Sequence, residues 1–281
     1  EIGKIILSKN NTDGTAGDLS YTLLCPNVML SATPTLFYIV VLPDTWANGF
    51  TVDVYNKDHS TIIEQFVTNK STTFSTTNAT IMPEKRVEKT YEYVDLGLPS
   101  GLKWATCNVG ATEIYDKGVH YAWGETEEKT NFTRWENYRL CNGTDEYMTR
   151  YNGHDDKKTL DMADDVAHSE WGGDWRMPTK AEMQELCDNC TFESVKVNGM
   201  LGLKVKGPNG RCLFLPAASY KGSTGNVLLG WMCYWSSTVS PDDYAYACSL
   251  EMFIGSPGQS YAPNVKTAMR RLGYSIRPVA E

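Results

Sequence analysis

Most apolar runs in this sequence have the length of a β-strand and end at turn residues. The clearest example is residues 50–54, where Phe50, Val52 and Val54 alternate with polar residues. This period of two indicates a strand with one face buried, and Asn48-Gly49 before it is typical of a turn. Apolar residues recur at helical spacing in only two places. We therefore predict a β-rich protein.

The length of the apolar runs and the net charge argue against a transmembrane segment and a nucleic-acid partner. The longest apolar run, residues 36–42, is far shorter than the roughly 20 residues that a membrane-spanning helix needs. We therefore expect no transmembrane segment. The net charge is −8, from 26 basic and 34 acidic residues. An acidic chain is repelled by phosphate backbones, so we expect no nucleic-acid partner.

A composition change divides the chain into two predicted domains. Residues 83–89 are charged and contain a proline, as linkers often do. Residues 1–85 contain strand patterns only and are predicted to form a small all-β sandwich. Residues 90–281 hold every tryptophan except Trp46 and both helix candidates. Helices among strands without regular alternation predict an α+β domain there.

The two predicted helices lie close together in the second domain. Residues 157–169 show the first helical spacing. The second helix follows Thr179, which with Glu182 has the sequence of a capping box. It ends near Cys187 and Cys190, a CxxC pair. A redox pair usually opens a helix, where the thiol pKa falls, so we favour buried free thiols over both redox chemistry and a disulfide framework.

The first domain resembles part of a known family. Residues 33–43, Thr-Pro-Thr-Leu-Phe-Tyr-Ile-Val-Val-Leu-Pro, followed by Gly-Phe-Thr-Val at 49–52, are similar to the C-terminal half of fimbrillin-like (Mfa-like) pilins of Bacteroidetes. The resemblance covers residues 1–82 and implies a transthyretin-like β-sandwich. The front half of such a pilin is absent, which implies pairing with other pilin subunits by donor-strand addition.

The second domain resembles the FISUMP, or major paralogous, domain over residues 91–281. Five motifs carry this resemblance in order: Tyr-Val-Asp-Leu-Gly-Leu-Pro-Ser-Gly-Leu-Lys-Trp-Ala-Thr at 93–106, Gly-Gly-Asp-Trp-Arg-Met-Pro-Thr at 172–179, Leu-Phe-Leu-Pro-Ala-Ala at 213–218, Tyr-Trp-Ser-Ser-Thr at 234–238 and Gly-Tyr-Ser-Ile-Arg-Pro-Val at 273–279. The resemblance implies a C-type-lectin-like fold on a bacterial surface. Together, the two resemblances imply an extracellular adhesin at a fimbrial tip, which binds a host or bacterial surface glycan or protein.

The sequence contains no recognisable catalytic motif, and we expect no enzyme activity. The four histidines are scattered without metal-ligand spacing. Formylglycine-generating relatives of the fold carry an Arg-Gly-Gly-Ser-Trp stretch near the end, whereas this chain reads Ala-Met-Arg-Arg-Leu-Gly-Tyr at 268–274. Two alternatives to an adhesin stay open: a purely structural pilus or surface-assembly subunit, and an oxidase-type enzyme with a reactive cysteine.

Candidate ligand residues lie in polar loops, because binding residues concentrate in loops on a rigid scaffold. Aromatic side chains in such loops offer large, rigid contact surfaces. The predicted ligand-binding residues are Tyr220, Trp231, Asp242, Asp243, Tyr244, Tyr261 and Asn264.

We expect no cofactor, and the alternative is a bound calcium ion. Calcium needs several convergent oxygens, which Pro241-Asp242-Asp243 or a second acidic group could supply. The second group is Asp155, Asp156, Asp161, Asp164 and Asp165. Acidic residues also favour helix N-termini, so for these aspartates we favour capping and solvating the first helix over binding calcium.

Overall fold

The computed structural model describes residues 2–28, 37–75, 91–222 and 230–281. The chain divides into two compact units, residues 1–89 and residues 90–281. The segment at 83–89, predicted to be a linker, lies outside the described residues.

The first unit is built from antiparallel strands. Its described strands are β1 Ile2–Asn10, β2 Ala16–Val28, β3 Asp44–Trp46, β4 Phe50–Asn56, β5 Ile62–Thr68 and β6 Thr72–Phe74. One sheet has the order β2-β1-β4-β5, and β3 pairs with β6 in a second, two-stranded sheet. Trp46 is completely buried, with the rings of Phe50 and Phe74 packed against it.

Strand β4 is buried more completely than its sequence pattern predicted. Thr51 and Asp53, expected to face solvent, are buried as fully as the apolar residues between them. The reason is that β4 lies inside the sheet, where polar side chains have hydrogen-bond partners. Thr51 donates its hydroxyl to Asn10 at 2.7 Å, and Gln65 donates to Asp53 at 2.7 Å.

The apolar run at 36–42 does not form the predicted strand over its described residues, 37–42. Alternate side chains still face opposite ways. Phe37, Ile39 and Val41 pack against the core of the first unit, whereas Tyr38, Val40 and Leu42 are 79%, 89% and 72% exposed. The sequence therefore gives the alternation of a strand, but no described strand pairs with it.

The second unit combines several small sheets with few helices. Its described strands are β7 Tyr93–Asp95, β8 Lys103–Ala105, β9 Thr191–Val197, β10 Met200–Lys206, β11 Cys212–Pro216, β12 Trp231–Val239, β13 Tyr246–Phe253, β14 Ser260–Tyr261, β15 Asn264–Met269 and β16 Val279–Ala280. Its described helices are α1 Val166–Trp171 and α2 Lys180–Asn189, with 3-10 turns at Trp135–Asn137 and Met162–Asp164. The protein is thus β-rich, as predicted.

Sheets in the second unit join distant parts of the chain. The orders are β11-β10-β9-β14, β12-β13-β15 and β16-β8-β7. In the last of these, Val279 pairs with Trp104, so the two ends of the unit meet in one sheet. Trp104 and Trp235 are buried in its core. Trp175 is only partly buried.

Helix α2 begins as the sequence predicted. Thr179 accepts a hydrogen bond from the backbone N–H of Glu182, and Glu182 accepts one from the backbone of Thr179. The predicted capping box is therefore confirmed.

Helix α1 is shorter than the predicted 157–169. Residues 159–160 are strand-like rather than helical, because Thr159 forms a β-bridge with Thr238 and Leu160 donates its backbone N–H to the carbonyl of Ser237. A 3-10 turn at Met162–Asp164 then follows. The helix begins only after Asp165, which caps it by accepting from Ala167 and His168. No helix in the described part of the chain is long and apolar enough to cross a membrane.

Candidate functional site

A cleft of about 520 Å³ opens on the second unit between two segments that are far apart in sequence. We call it the acidic cleft. Its lining residues are Asn142, Asp145, Glu146, Tyr147, Met148, Asn152, Gly153, His154, Asp242, Asp243, Tyr244 and Ala245.

The first wall is a tight loop closed at its base. Cys141 and Met148 form an antiparallel bridge, and Asn142 donates its backbone N–H to Tyr147. Met148 is buried and anchors the loop, while the side chain of Tyr147 is 61% exposed at the cleft. This loop therefore exposes polar side chains to the cleft, while the buried side chain of Met148 fixes its base.

The second wall is the turn between β12 and β13. Asp243 accepts hydrogen bonds from two backbone N–H groups: its side chain from Ala245 at 2.8 Å and its carbonyl from Tyr246 at 3.0 Å. The Tyr244 ring lies against Gly153, where an added Cβ would meet it at 3.2 Å. The absence of a side chain at Gly153 thus lets the two walls approach closely.

Arg270 holds the two walls together from below. Its guanidinium is completely buried and donates to the carbonyls of Arg150 and Tyr151 on one side and Tyr244 on the other. It also donates to the Tyr138 hydroxyl at 2.8 Å and lies 4.5 Å from the Trp123 ring centroid. The Arg270 guanidinium therefore links the backbone beneath both walls.

Negative charge dominates the cleft. Four carboxylates line it, Asp145, Glu146, Asp242 and Asp243. None of them forms an ion pair within the part of the chain that the structure describes. All four are exposed. Such a surface attracts cations and accepts hydrogen bonds from hydroxyl and ammonium groups.

The aromatic rings add a second kind of contact. Tyr147 and Tyr244 both line the cleft, and ring faces attract cations and stack on flat or apolar groups. Lys158 already lies 5.9 Å from the Tyr244 ring centroid, which shows that a cation can approach this ring.

No group of three or more His, Cys, Asp or Glu side chains within the described ranges is placed to hold a metal ion. In the second acidic group, Asp161 and Asp164 form ion pairs with Arg150, and Asp161 also pairs with Lys157. Asp165 accepts three backbone N–H groups, from Ala167, His168 and Met177. The side chains of these aspartates are therefore engaged within the fold.

The structure brings Asp242, Asp243 and Tyr244 together in the acidic cleft but places the other predicted ligand residues elsewhere. Tyr220 packs edge-on against Tyr274 at 5.8 Å, and Trp231 packs against Phe253 at 5.7 Å. Tyr261 accepts from the backbone of Gly255, and Asn264 begins β15 at the surface. Residues 223–229 of the loop between Tyr220 and Trp231 lie outside the described residues.

The sequence analysis did not predict the other charged, aromatic and histidine side chains of the cleft, which are Asp145, Glu146, Tyr147 and His154. The available signal was an exposed tyrosine within the polar stretch 142–147. That stretch gave no reason to connect it with residues 242–244, because only the folded chain brings them together.

All eight cysteines are free thiols. Burial raises the pKa of Cys187 to about 12 and that of Cys190 to about 11. A redox CxxC pair needs the opposite shift, since the thiolate is the reacting form.

The fold and the cleft thus define a β-rich protein with an acidic, tyrosine-lined surface cleft. Comparisons with protein-family models, curated proteins and solved structures found no match to this chain.

Proposed function

We propose that this chain is an adhesin-like subunit of a bacterial surface or fimbria, and that its second unit binds a ligand in the acidic cleft. The observation that carries the proposal is the convergence of Asp242, Asp243 and Tyr244 with Asp145 and Tyr147 in one cleft. Tyrosine rings in loops on a well-packed scaffold are typical of binding surfaces.

Features of the second unit support a C-type-lectin-like fold. Strands from its beginning and end pair in one sheet, β16-β8-β7, and its described α-helices lie between strands, without regular alternation. The FISUMP-like motifs supply Trp104 and Trp235 to the core. Such a fold presents its loops at the surface, where the acidic cleft is found.

The chemistry of the cleft favours a ligand with exposed positive charge, such as a basic segment of a surface protein or an amine-bearing glycan. Four carboxylates without ion-pair partners among the described residues gain most from a cationic ligand. The tyrosine rings can hold the same group by cation–π contact.

Binding of the full chain to arrayed glycans and matrix proteins tests this proposal. The double variant Asp242→Asn/Asp243→Asn keeps the shape of the turn but removes two charges. We expect it to weaken binding by about 2- to 30-fold, because each of the two exposed ion pairs contributes about 0.2–1 kcal/mol and about 1.4 kcal/mol corresponds to a factor of ten. Tyr244→Leu should weaken binding as well.

Asp174→Asn, at an exposed aspartate elsewhere in the unit, is the matched control and should bind like the wild type. Repeating the assay with calcium and with a chelator tests calcium dependence. Equal binding by the wild type and the double variant, or no binding to any array member in either condition, would refute a ligand site in this cleft.

A second role, assembly with other pilin subunits by strand addition, is favoured by residues 37–42. Their outer face exposes Tyr38, Val40 and Leu42, and no described strand pairs with them. A segment with an apolar outer face and no strand neighbour among the described residues is suited to accept a partner's strand. The alternative class, a structural subunit without a small ligand, would use only this segment at residues 37–42.

Val40→Asp tests the assembly role, because the side chain is exposed and the variant should fold normally. We expect severalfold less of this variant in the sheared surface fraction of cells that produce it, since a charge opposes burial under an added strand. Ile114→Asp, at an exposed apolar residue of the second unit, is the control. Equal recovery of Val40→Asp and wild type would contradict strand addition at residues 37–42.

A further inference from the structure

A second cleft, of about 420 Å³, lies on the other side of the loop that forms the first wall of the acidic cleft. We call it the Arg271 cleft. Arg134, Trp135, Thr144 and Arg271 line it, and Asp145 lines both clefts. We infer that the Arg271 cleft is a binding site for an acidic sugar, whose carboxylate is held by Arg271 and Arg134 while its ring lies against Trp135.

Arg271 is prepared for an anion. Its guanidinium donates to the carbonyl of Phe132 at 2.8 Å and to the thioether sulfur of Met269 at 3.5 Å, and it lies 5.6 Å from the Trp135 ring centroid. Its Nε atom is buried without a hydrogen-bond partner. Across the part of the chain that the structure describes, it forms no ion pair.

An arginine fixed in this way is a rigid cation without an anionic partner among the described residues. A planar guanidinium matches a carboxylate by two parallel hydrogen bonds. Arg134 is exposed on the same cleft and likewise has no described ion-pair partner. Two unpaired arginines in one cleft therefore point to an anionic group on the ligand.

The remaining lining groups point to a polyhydroxylated ligand. Trp135 is partly exposed and lines the cleft beside the Arg271 guanidinium, where its ring can contact the apolar surface of a sugar. Glu136 and Asp145 also line the cleft and would repel a plain polyanion. They can, however, accept hydrogen bonds from sugar hydroxyls. Arginines, a tryptophan and carboxylates together fit a sugar that carries one carboxylate and several hydroxyls.

The same carboxylates argue against ligands with dense charge. A phosphate-rich chain would meet Glu136 and Asp145, and the protein carries a net charge of −8. A single carboxylate on a neutral ring avoids that repulsion. This inference goes beyond the proposed function, because it concerns a different cleft and a ligand group of opposite charge.

The test is binding of the full chain to oligosaccharides that end in a uronic acid or a sialic acid. The comparison probes are the same oligosaccharides with the carboxylate converted to an amide, and sulfated oligosaccharides without a carboxylate. We expect binding of the carboxylated probes only. Arg271→Gln should weaken it by about 10- to 100-fold, because a hydrogen bond to a charged group contributes about 1.5–3 kcal/mol.

Arg134→Gln is the second variant, because its exposed side chain can be removed without disturbing the fold, and we expect a severalfold loss. Arg211→Gln, at an exposed arginine in the turn before β11, is the control and should bind like the wild type. Equal binding of carboxylate and amide probes, preference for sulfated probes, absence of binding to any acidic probe, or unchanged binding by Arg134→Gln and Arg271→Gln would each overturn the inference.

The binding proposals for the two clefts can be tested independently. Asp242→Asn/Asp243→Asn lies outside the Arg271 cleft and should leave acidic-sugar binding intact. Loss of array binding in that variant, with acidic-sugar binding retained, would support both sites independently. Acidic-sugar binding that is lost in this double variant but kept in Arg271→Gln would overturn the assignment to the Arg271 cleft.

Discussion

Replacing Arg270 with methionine is expected to destabilise the second unit by about 3–5 kcal/mol, the largest effect of a single substitution that we predict. Arg270 is completely buried. Its guanidinium supplies hydrogen bonds to three backbone carbonyls and to the Tyr138 hydroxyl. Methionine fills a similar volume but leaves those acceptors unsatisfied away from water.

The measurement is the free energy of unfolding from urea denaturation of the full chain. Arg270→Lys separates charge from geometry. An ammonium keeps the cation but reaches fewer acceptors than the planar guanidinium, so its loss of stability should be smaller than that of methionine. Arg211→Met, at an exposed arginine, should change stability by less than about 0.5 kcal/mol. A similar small change for Arg270→Met would show that the carbonyls find other partners.

Substitution of Arg270 by lysine is also expected to affect ligand binding in the acidic cleft. Arg270 bonds to Arg150 and Tyr151 beneath one wall and to Tyr244 on the other. Under conditions where Arg270→Lys remains folded, we therefore expect weaker ligand binding than in the wild type. Unchanged affinity in a folded Arg270→Lys protein would show that the walls hold their positions without the guanidinium.

Asp165→Ala is expected to destabilise the second unit by about 2–4 kcal/mol. The side chain is buried and accepts from the backbone N–H groups of Ala167, His168 and Met177. Loss of a helix N-cap costs about 1 kcal/mol, and each buried N–H left without a partner costs about 1–3 kcal/mol. Asp165 therefore fixes both the start of α1 and the strand-like segment that leads to α2.

Asp165→Asn provides the matched comparison. An asparagine keeps one carbonyl oxygen for the two N–H groups of α1, but its amide cannot accept from Met177. About half of the loss is therefore expected. Asp174→Ala, at an exposed aspartate after the same helix, should be nearly neutral. If Asp165→Asn and Asp165→Ala lose the same stability in urea denaturation, the contact with Met177 dominates and the cap contributes little.

Local spacing in the sequence predicted those features that neighbouring residues decide. Strand-length runs predicted a β-rich chain, and Thr179 with Glu182 predicted the start of α2, where the capping box is observed. These features depend on contacts within a few residues, which a linear sequence displays directly.

Only the tertiary structure decided the features that depend on distant contacts. Residues 37–42 alternate like a strand, yet sheet pairing requires a neighbour that local sequence does not specify. Thr51 and Asp53 are buried because β4 lies between β1 and β5, whereas alternation alone predicted one solvent-exposed face. The acidic cleft joins residues 142–154 to 242–245. That juxtaposition depends on the hydrogen bonds of Arg270 and on core packing. Both form only when the chain folds.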